Sequence, residues 1–171
     1  MEWNNVDYCQ RDHDAIGSDW RRWARVVAVW GADVNLVSVE QSKIASAWPF
    51  VRAGCEKVLA KTNDRWIPED VYMEVRSGSA FLYMIEHEND EIGFFVVRRV
   101  MDPDGPALFV WIMWTEPGLM AESSNWKAVI AELDVLARSI GAKRIRHYSS
   151  RSGFEEHGAF TLKMHIYERE V

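Results

Sequence analysis

The residues best placed for chemistry lie in a loop that follows one apolar segment. Residues 107–114 predict a strand, residues 124–140 a helix, and residues 143–148 a second strand. In α/β proteins, the turn between such a strand and helix places backbone N–H groups around a phosphate. Here that turn, residues 115–125, contains one glycine and two glutamates. The sequence therefore predicts the frame of a phosphate-binding site without the glycine spacing that such a site uses.

Motifs for other chemistries are missing from the sequence. The five histidines, at positions 13, 87, 147, 157 and 165, have no ligand spacing with each other or with a cysteine. Cys9 and Cys55 lie far apart and outside any recognised motif, and no Gly-x-Ser-x-Gly elbow occurs. We therefore expect no metal site and no nucleophilic catalysis, and the cysteine pattern favours a reducing compartment.

The composition is that of a globular protein with an acidic surface. The chain has 171 residues, 48% apolar and 27% charged, with a net charge of −6 and a pI near 5.4. Nonspecific binding to nucleic acid or to an anionic membrane needs clustered cations, and the basic spots at Arg98-Arg99 and Lys143-Arg144 are short. No apolar run reaches the roughly 18–20 residues of a membrane span, and the N-terminus lacks the regions of a signal peptide. We expect neither nucleic acid nor membrane as a partner.

The sequence divides into an N-terminal segment, residues 1–33, and a domain, residues 34–171. Residues 1–17 are polar and without periodicity, and Ser18 is a plausible N-cap for a helix that ends near Gly31. Its apolar stripe is formed by Trp20, Trp23, Val27 and Trp30. Two interpretations stay open, because the stripe can pack on the domain's own core or bind another chain.

The domain itself predicts alternating strands and helices. Strands are expected at residues 34–39, 81–87, 92–101, 108–114, 144–148 and 160–167. A first helix is expected after Gln41-Ser42, ending at Asn63-Asp64, with further helices at residues 68–77 and 124–140. Pro49 either kinks the first of these helices or marks its true start. The strand at 108–114 is apolar throughout, so we expect it to be central and covered on both faces.

This order of elements resembles the GCN5-related N-acetyltransferase (GNAT) fold over about residues 34–171. Two phrases are similar to the family's: residues 133–138 leading to residues 141–145, and Gly153-Phe154-Glu155 ahead of a strand that ends Tyr167-Glu-Arg. The resemblance implies an α+β fold with a mixed, mostly antiparallel central sheet flanked by helices, here with an extra N-terminal arm and helix.

A narrower resemblance is to small GNAT-like proteins of tailed bacteriophages. It covers residues 68–160 and rests on Ser77-Gly78, on residues 136–142, and on Arg151-Ser-Gly-Phe154. It implies synthesis in a bacterial cytoplasm and a place in a virion or its assembly.

The GNAT resemblance also implies a site, from which this sequence departs. The family holds the acetyl-CoA pyrophosphate in a loop of the form Gln/Arg-x-x-Gly-x-Gly/Ala, whereas residues 118–125 lack that spacing and Glu116 and Glu122 add negative charge. Ser149 occupies the position of the family's usual tyrosine acid. For an active enzyme, the candidates are Glu116, just past the central strand, as base, and His147 or Tyr148, on the neighbouring strand, as acid. The alternative is that Glu116 is a solvated loop residue and Tyr148 an ordinary strand residue. The cofactor site would comprise Trp114, Gly118, Ser123, Ser124 and Asn125.

Two functional hypotheses follow. The first is a non-catalytic, GNAT-like binding protein with no cofactor. It would be a structural or assembly component of a phage, and its partners would be other proteins or further copies of itself. It would use the stripe of Trp20, Trp23, Val27 and Trp30. The alternative is an acetyl-CoA-dependent N-acetyltransferase with a degenerate pyrophosphate loop. A regulatory GNAT-like binding protein is a third, lesser hypothesis.

Overall fold

A five-stranded sheet forms the centre of the computed structural model, which describes residues 34–62, 64–88, 90–117 and 123–148. The strands are β1 (Val34–Ser38), β2 (Phe81–His87), β3 (Asp90–Asp102), β4 (Gly105–Thr115) and β5 (Ile145–His147), and the helices are α1 (Ile44–Leu59), α2 (Pro68–Ser77) and α3 (Ser123–Ser139). The strand order is β1-β2-β3-β4-β5. The first four strands are antiparallel and β5 is parallel to β4. The predicted α+β fold is confirmed.

Helix α1 resolves the question that Pro49 posed. A short 3-10 helix, Gln41–Lys43, leads into α1 at Ile44, so Pro49 lies inside the helix and is not its start. A proline at this position removes the N–H that would bond to the carbonyl of Ala45. The helix ends at Leu59, earlier than the predicted Asn63-Asp64, and the N–H groups of residues 60–62 bond to carbonyls of its last turn.

Helix α2 has the predicted ends. Pro68 is its first residue, where the missing N–H costs nothing, and the Asp70 carboxylate accepts a hydrogen bond from the N–H of Ile67 at 3.0 Å. Gly78 ends the helix with φ +80°, a conformation that favours glycine, and the N–H groups of Ser79 and Ala80 both bond to the Glu74 carbonyl at 3.0 Å. The tight turn directs the chain straight into β2.

The sheet is covered on both faces, as the apolar composition of its strands predicts. Successive residues of β3 show this, since their side chains point to opposite faces of the sheet. Phe94 packs with α1 and α2, Phe95 packs with α3, and both are fully buried. In β4, Leu108 and Val110 face α3 and Ile112 faces α1. Burial of this kind contributes about 25 cal/mol per Å² of apolar surface. The two cores fix the position of β4, whose C-terminal half carries the candidate site.

Within the described residues, no helix combines the length and the apolar character needed to cross a membrane.

Candidate functional site

A β-bulge divides strand β4 into two halves. Val97 of β3 lies opposite Val110, and Val96 lies opposite Ile112, so Trp111 is one extra residue in β4. The bulge therefore puts Trp111 and Ile112 on the same face of the sheet, where both join the core beneath α1 and α2. Bulges commonly bend a strand and redirect its side chains, and this one lies at the point where the pairing of β4 with β5 ends.

Strand β5 leaves β4 at His147. The parallel ladder covers only Leu108 to Val110 of β4, and its last pair is Val110 with His147. His147 Nδ1 lies 3.1 Å from the carbonyl oxygen of Val110. A longer parallel ladder would offer that carbonyl to the N–H of Tyr148. Here the His147 imidazole bonds to the Val110 carbonyl instead. Strand β5, Ile145–His147, is two residues shorter than the predicted strand at residues 144–148.

Among the residues that the structure describes, the C-terminal half of β4 is paired on one side, with β3. The N–H of Glu116 donates to the carbonyl of Ile92 in β3 at 2.8 Å. Backbone groups of successive residues in an antiparallel strand point in opposite directions, so those of Met113 and Thr115 point away from β3. In the described chain, residues 111–115 have a strand partner on the β3 side alone. The opposite side, the backbone edge of residues 111–115 that points away from β3, is called the open side and is the central feature of the site.

The hydrogen bond of His147 decides the chemistry of its ring. Because a carbonyl oxygen can only accept, Nδ1 carries the proton and donates it to Val110. Burial lowers the pKa of His147, and the hydrogen bond to Val110 opposes this only in part. The ring is therefore neutral at pH 7, with its basic lone pair on Nε2. A neutral imidazole of this kind suits a base better than the acid expected from the sequence.

Tyr148 lies just beyond the end of β5. Its side chain is 60% exposed, and its ring packs against that of Phe109 with centroids 5.1 Å apart. Phe109 belongs to the half of β4 before the bulge. Tyr148 thus follows His147 directly and packs beside the half of β4 that precedes the bulge.

Glu116 lies at the far end of the same strand. Its side chain is exposed, and it follows Val110, the partner of His147, by six positions. At about 3.3 Å per residue, less the extra residue of the bulge, the backbones of Glu116 and His147 are on the order of 17–20 Å apart. The three residues proposed as base and acid therefore fall into two separate groups, with His147 and Tyr148 in one and Glu116 in the other.

Trp114, which the sequence suggested as a cofactor contact, packs against α1. Its ring lies edge-on to Phe50 with centroids 5.4 Å apart, and Lys57 Nζ lies 4.7 Å from its centroid. The ring of Phe94 in β3 also packs against the indole, with centroids 5.9 Å apart. Gly54 of α1 makes room for the indole, because a Cβ there would lie only 2.8 Å from Trp114 Cδ2. In this position the indole joins β4 to α1.

The remaining proposed cofactor residues lie at the start of α3. Ser123 and Ser124 form its first two positions, and Asn125, in its first turn, is buried with 8% of its surface exposed. Gly118 lies outside the described residues, as does Glu122. The cofactor role of this group stays a prediction.

The proposed partner surface also lies outside the described part of the chain. Trp20, Trp23, Val27 and Trp30 all belong to residues 1–33, so their docking role stays a prediction. The described residues contain no group of three His, Cys, Asp or Glu side chains able to hold a metal ion.

Two residues with no predicted role shape the site. Gly93 of β3 lies beneath the end of β4, where a Cβ would clash with the carbonyl oxygen of Trp114 and lie 2.9 Å from Thr115 Cα. Trp111, displaced by the bulge, is stacked under the Arg98 guanidinium at 3.6 Å and meets Trp66 edge-on at 6.1 Å. For Gly93, the available signal in the sequence was an isolated glycine inside a strand pattern. No sequence signal marks Trp111.

Comparison with known proteins identifies the architecture. No protein-family model matches the chain, and no curated protein matches it in sequence. Solved structures do match: the ribosomal-protein-alanine N-acetyltransferase of Brucella melitensis biovar Abortus 2308 is 14% identical, with a TM-score of 0.59, over 82% of this chain and 100% of the other. A protein of Clostridium acetobutylicum described as a predicted acetyltransferase with acetyl-CoA is also 14% identical, with a TM-score of 0.60, over 80% of this chain and 96% of the other.

This chain has the GNAT fold. An acetyltransferase of Trypanosoma brucei gives the same result, with 14% identity and a TM-score of 0.54 over 81% of this chain and all of the other. At these identities the likeness establishes the GNAT fold, while activity must be argued from the site.

Proposed function

We propose that this protein is a non-catalytic member of the GNAT fold that works by binding other proteins. The observation that carries the proposal is the distance between the groups suited to proton transfer. Acyl transfer to an amine needs a base and an acid within about 2.6–3.2 Å of the atoms of one reaction centre. Glu116 lies on the order of 17–20 Å along β4 from His147, and Tyr148 is one residue of about 3.3 Å nearer. Side chains of this length do not bridge that gap to act on a single bond.

The cofactor side of the site supports the same proposal. The loop after β4 has glutamates where a pyrophosphate needs positive potential, and it lacks the glycines that let a backbone approach a phosphate closely. Trp114 is packed between α1 and β3. These features leave the frame of a cofactor site without the groups that would hold a cofactor.

We place the protein in a tailed-phage particle or in its assembly. This setting rests on the phrases shared with small phage GNAT-like proteins, at Ser77-Gly78 and at residues 136–142 and 151–154. The contacts would be made by the stripe of Trp20, Trp23, Val27 and Trp30, because clustered tryptophans are typical of binding surfaces. Partners would be phage structural proteins or further copies of the chain.

An acetyl-CoA-dependent N-acetyltransferase is the second candidate, and one observation favours it. The open side of β4 presents the N–H and C=O groups of Met113 and Thr115, and the pantetheine arm of acetyl-CoA carries two amides that suit such an edge. His147 would then be the nearest base, as a neutral imidazole.

Isothermal titration with acetyl-CoA separates the two candidates. We expect no binding tighter than about 100 μM, which corresponds to about 5.5 kcal/mol. Tighter binding would overturn the non-catalytic proposal, and release of free thiol from acetyl-CoA on addition of amines would overturn it outright. Coenzyme A without the acetyl group is the control, since equal binding of both ligands would show that the acetyl group contributes nothing to the affinity.

Deletion of residues 1–31 tests the partner surface. We expect the truncated protein to fold with its ordinary circular dichroism while losing its incorporation into phage particles, measured by mass spectrometry of purified particles from the full-length and truncated genes. A truncated protein that aggregates would instead place the tryptophan stripe in the domain's own core. Absence of the full-length protein from purified particles would exclude a virion component.

A further inference from the structure

We infer that a group of ion pairs at one end of the sheet sets the register of β5 and thereby the position of His147. The group, here named the ionic latch, consists of Asp102 at the end of β3, Asp104 in the turn that follows, Arg144 just before β5 and Arg146 within it. This role goes beyond the proposed function, because it concerns how the fold holds His147 whichever of the two candidate functions is correct.

Strand β5 specifies its own register only weakly. Its ladder with β4 has three residue pairs, and the N–H of Leu108 donates to the Arg144 carbonyl at 2.8 Å where the ladder begins. Ile145 is the apolar residue of β5, and it packs against the core beneath α3. A displacement by two residues would put Lys143 or His147 in its place and keep every side chain on its face of the sheet. Such a short ladder with one apolar contact opposes that displacement little.

The ionic latch opposes it by tying β5 to β3 across β4. Arg146 donates a hydrogen bond to one oxygen of the Asp102 carboxylate at 3.0 Å, and Arg144 lies 3.6 Å from the other oxygen. Because β3 and β5 both pair with β4, they lie about 9.5 Å apart, a span that long side chains cover. Displacing β5 by two residues would move Arg146 about 6.6 Å along the sheet and break its bond to Asp102.

Strand β4 leaves room for this crossing. The partners of Asp102 and Arg146 in β4 are Gly105 and Phe109, so Ala107 lies between these two on the same face of the sheet. Ala107 is fully buried, and its side chain ends at Cβ. A small residue at this position lets the guanidinium pass over β4 to the carboxylate.

Partial burial makes the Asp102–Arg146 pair the effective part of the ionic latch. The side chain of Asp102 is 12% exposed and that of Arg146 is 39% exposed, whereas Asp104, 2.6 Å from Arg144, is 76% exposed. Salt screens a pair less as its burial increases, and hydrogen bonds between charged groups are stronger than neutral ones. Fixing a register is also the best-attested role of buried ionic groups.

The register in turn brings His147 to Val110. His147 follows Arg146 directly, and its Nδ1 donates to the Val110 carbonyl at 3.1 Å. Strand β5 is therefore held near its start by the ionic latch and at its last residue by the imidazole. Loss of the first contact should weaken the second.

Nuclear magnetic resonance of the isotope-labelled, full-length protein tests this role. Hydrogen exchange of the Leu108 amide reports on the bond between β4 and the start of β5. Exchange of the Val39 amide, which bonds to the Leu82 carbonyl at 2.9 Å, reports on the opposite side of the sheet. The ratio of the Leu108 rate to the Val39 rate therefore separates loosening of β5 from a loss of overall stability. The Nδ1–H signal of His147, identified by its absence from His147→Gln, reports on the bond to Val110.

Substitutions of the pair locate the effect. Asp102→Asn and Arg146→Met each remove one of the two charges, and we expect each to raise the exchange ratio at least about tenfold and to weaken the His147 signal. The double variant should differ from either single variant by no more than about twofold, since both substitutions break one interaction. Arg146→Lys keeps the charge and should retain most of the protection. Arg138→Met, at an exposed position of α3, is the matched control and should leave the ratio unchanged.

An unchanged ratio in Asp102→Asn and Arg146→Met would overturn the inference. Equal acceleration at Leu108 and Val39 would also overturn it, because the pair would then stabilise the whole fold without setting β5. High salt gives a check that needs no folded variant: about 1 M NaCl should raise the ratio in the wild-type protein, and no change there would count against an ionic latch. These outcomes do not depend on acetyl-CoA binding, so failure of the inference and failure of the proposed function are distinguishable.

Discussion

Replacing Gly54 with alanine tests whether Trp114 is fixed against α1. An added Cβ would lie 2.8 Å from Trp114 Cδ2 and Cε3 and would clash with Phe94 Cε1. Phe94 is fully buried and Trp114 is held by Phe50 and Lys57, so neither ring moves away cheaply. Overpacking of this kind costs about 1–3 kcal/mol, and we take about 2–3 for two constrained rings. Alanine gains about 0.5–1 kcal/mol over glycine as a helix former.

The net expectation is a loss of about 1–2 kcal/mol in the free energy of unfolding. For a chain of this size it corresponds to a melting temperature lower by about 3–6 °C. Urea unfolding followed by tryptophan fluorescence measures it. Ala53→Gly, at the neighbouring exposed position of α1, is the control for helix propensity alone.

A stability of Gly54→Ala equal to or above that of the wild type would refute the argument, since propensity alone predicts a gain. A double-mutant cycle with Phe94→Leu adds a second check. Shortening that ring makes room for the new Cβ, so we expect Gly54→Ala to cost less in the Phe94→Leu background than in the wild type. Additive effects would mean that the two residues do not meet.

Three further predictions concern titratable groups. Burial lowers the pKa of His147 below its unfolded value of about 6.5, so the unfolded state binds the extra proton first as the pH falls. The free energy of unfolding should therefore decrease as the pH drops below about 6.5. In urea titrations at several pH values, His147→Gln should reduce this dependence on pH. The Asp102 side chain is 12% exposed and bonds to Arg146 at 3.0 Å, so Asp102→Asn should lower the free energy of unfolding by about 1–2 kcal/mol, with salt dependence as the check. Burial raises the pKa of Cys55 to about 12, so in a Cys9→Ser background no thiol should react with Ellman's reagent until the protein unfolds.

The order of elements was predictable because each helix and strand carries its own periodicity and end signals. Pro68 and Gly78 mark the ends of α2, and Gly141, with φ +71°, follows the end of α3. The apolar run in β4 indicated a strand covered on both faces, and both cores confirm it. Local chemistry and tertiary packing agree in these segments, so the sequence alone was sufficient.

The uninterrupted run of apolar residues that made the burial of β4 predictable also concealed the details of its pairing. Residues 107–114 are apolar at every position, so no alternation shows which face each side chain takes. An extra residue at Trp111 therefore leaves no trace in the pattern, although it changes which face the following residues occupy. The length of β5 likewise depends on a side chain, His147, bonding to another strand. Such long-range contacts lie outside what periodicity records.

The separation of the candidate site residues along the sheet was not predictable from the sequence. Glu116 was expected just past the central strand, and His147 and Tyr148 on the neighbouring strand, which leaves their relative heights along the sheet unspecified. The register instead puts His147 beside Val110, six positions before Glu116. Only a register can reveal that offset, since it depends on where β5 begins to pair rather than on which residues it contains.

The geometry that opens the groove is independent of the loop that would bind a phosphate. The open side of β4 is produced by the bulge at Trp111 and by the hydrogen bond from His147 to Val110, and both lie before the glutamates of the loop. A chain can therefore keep the groove while losing the phosphate site.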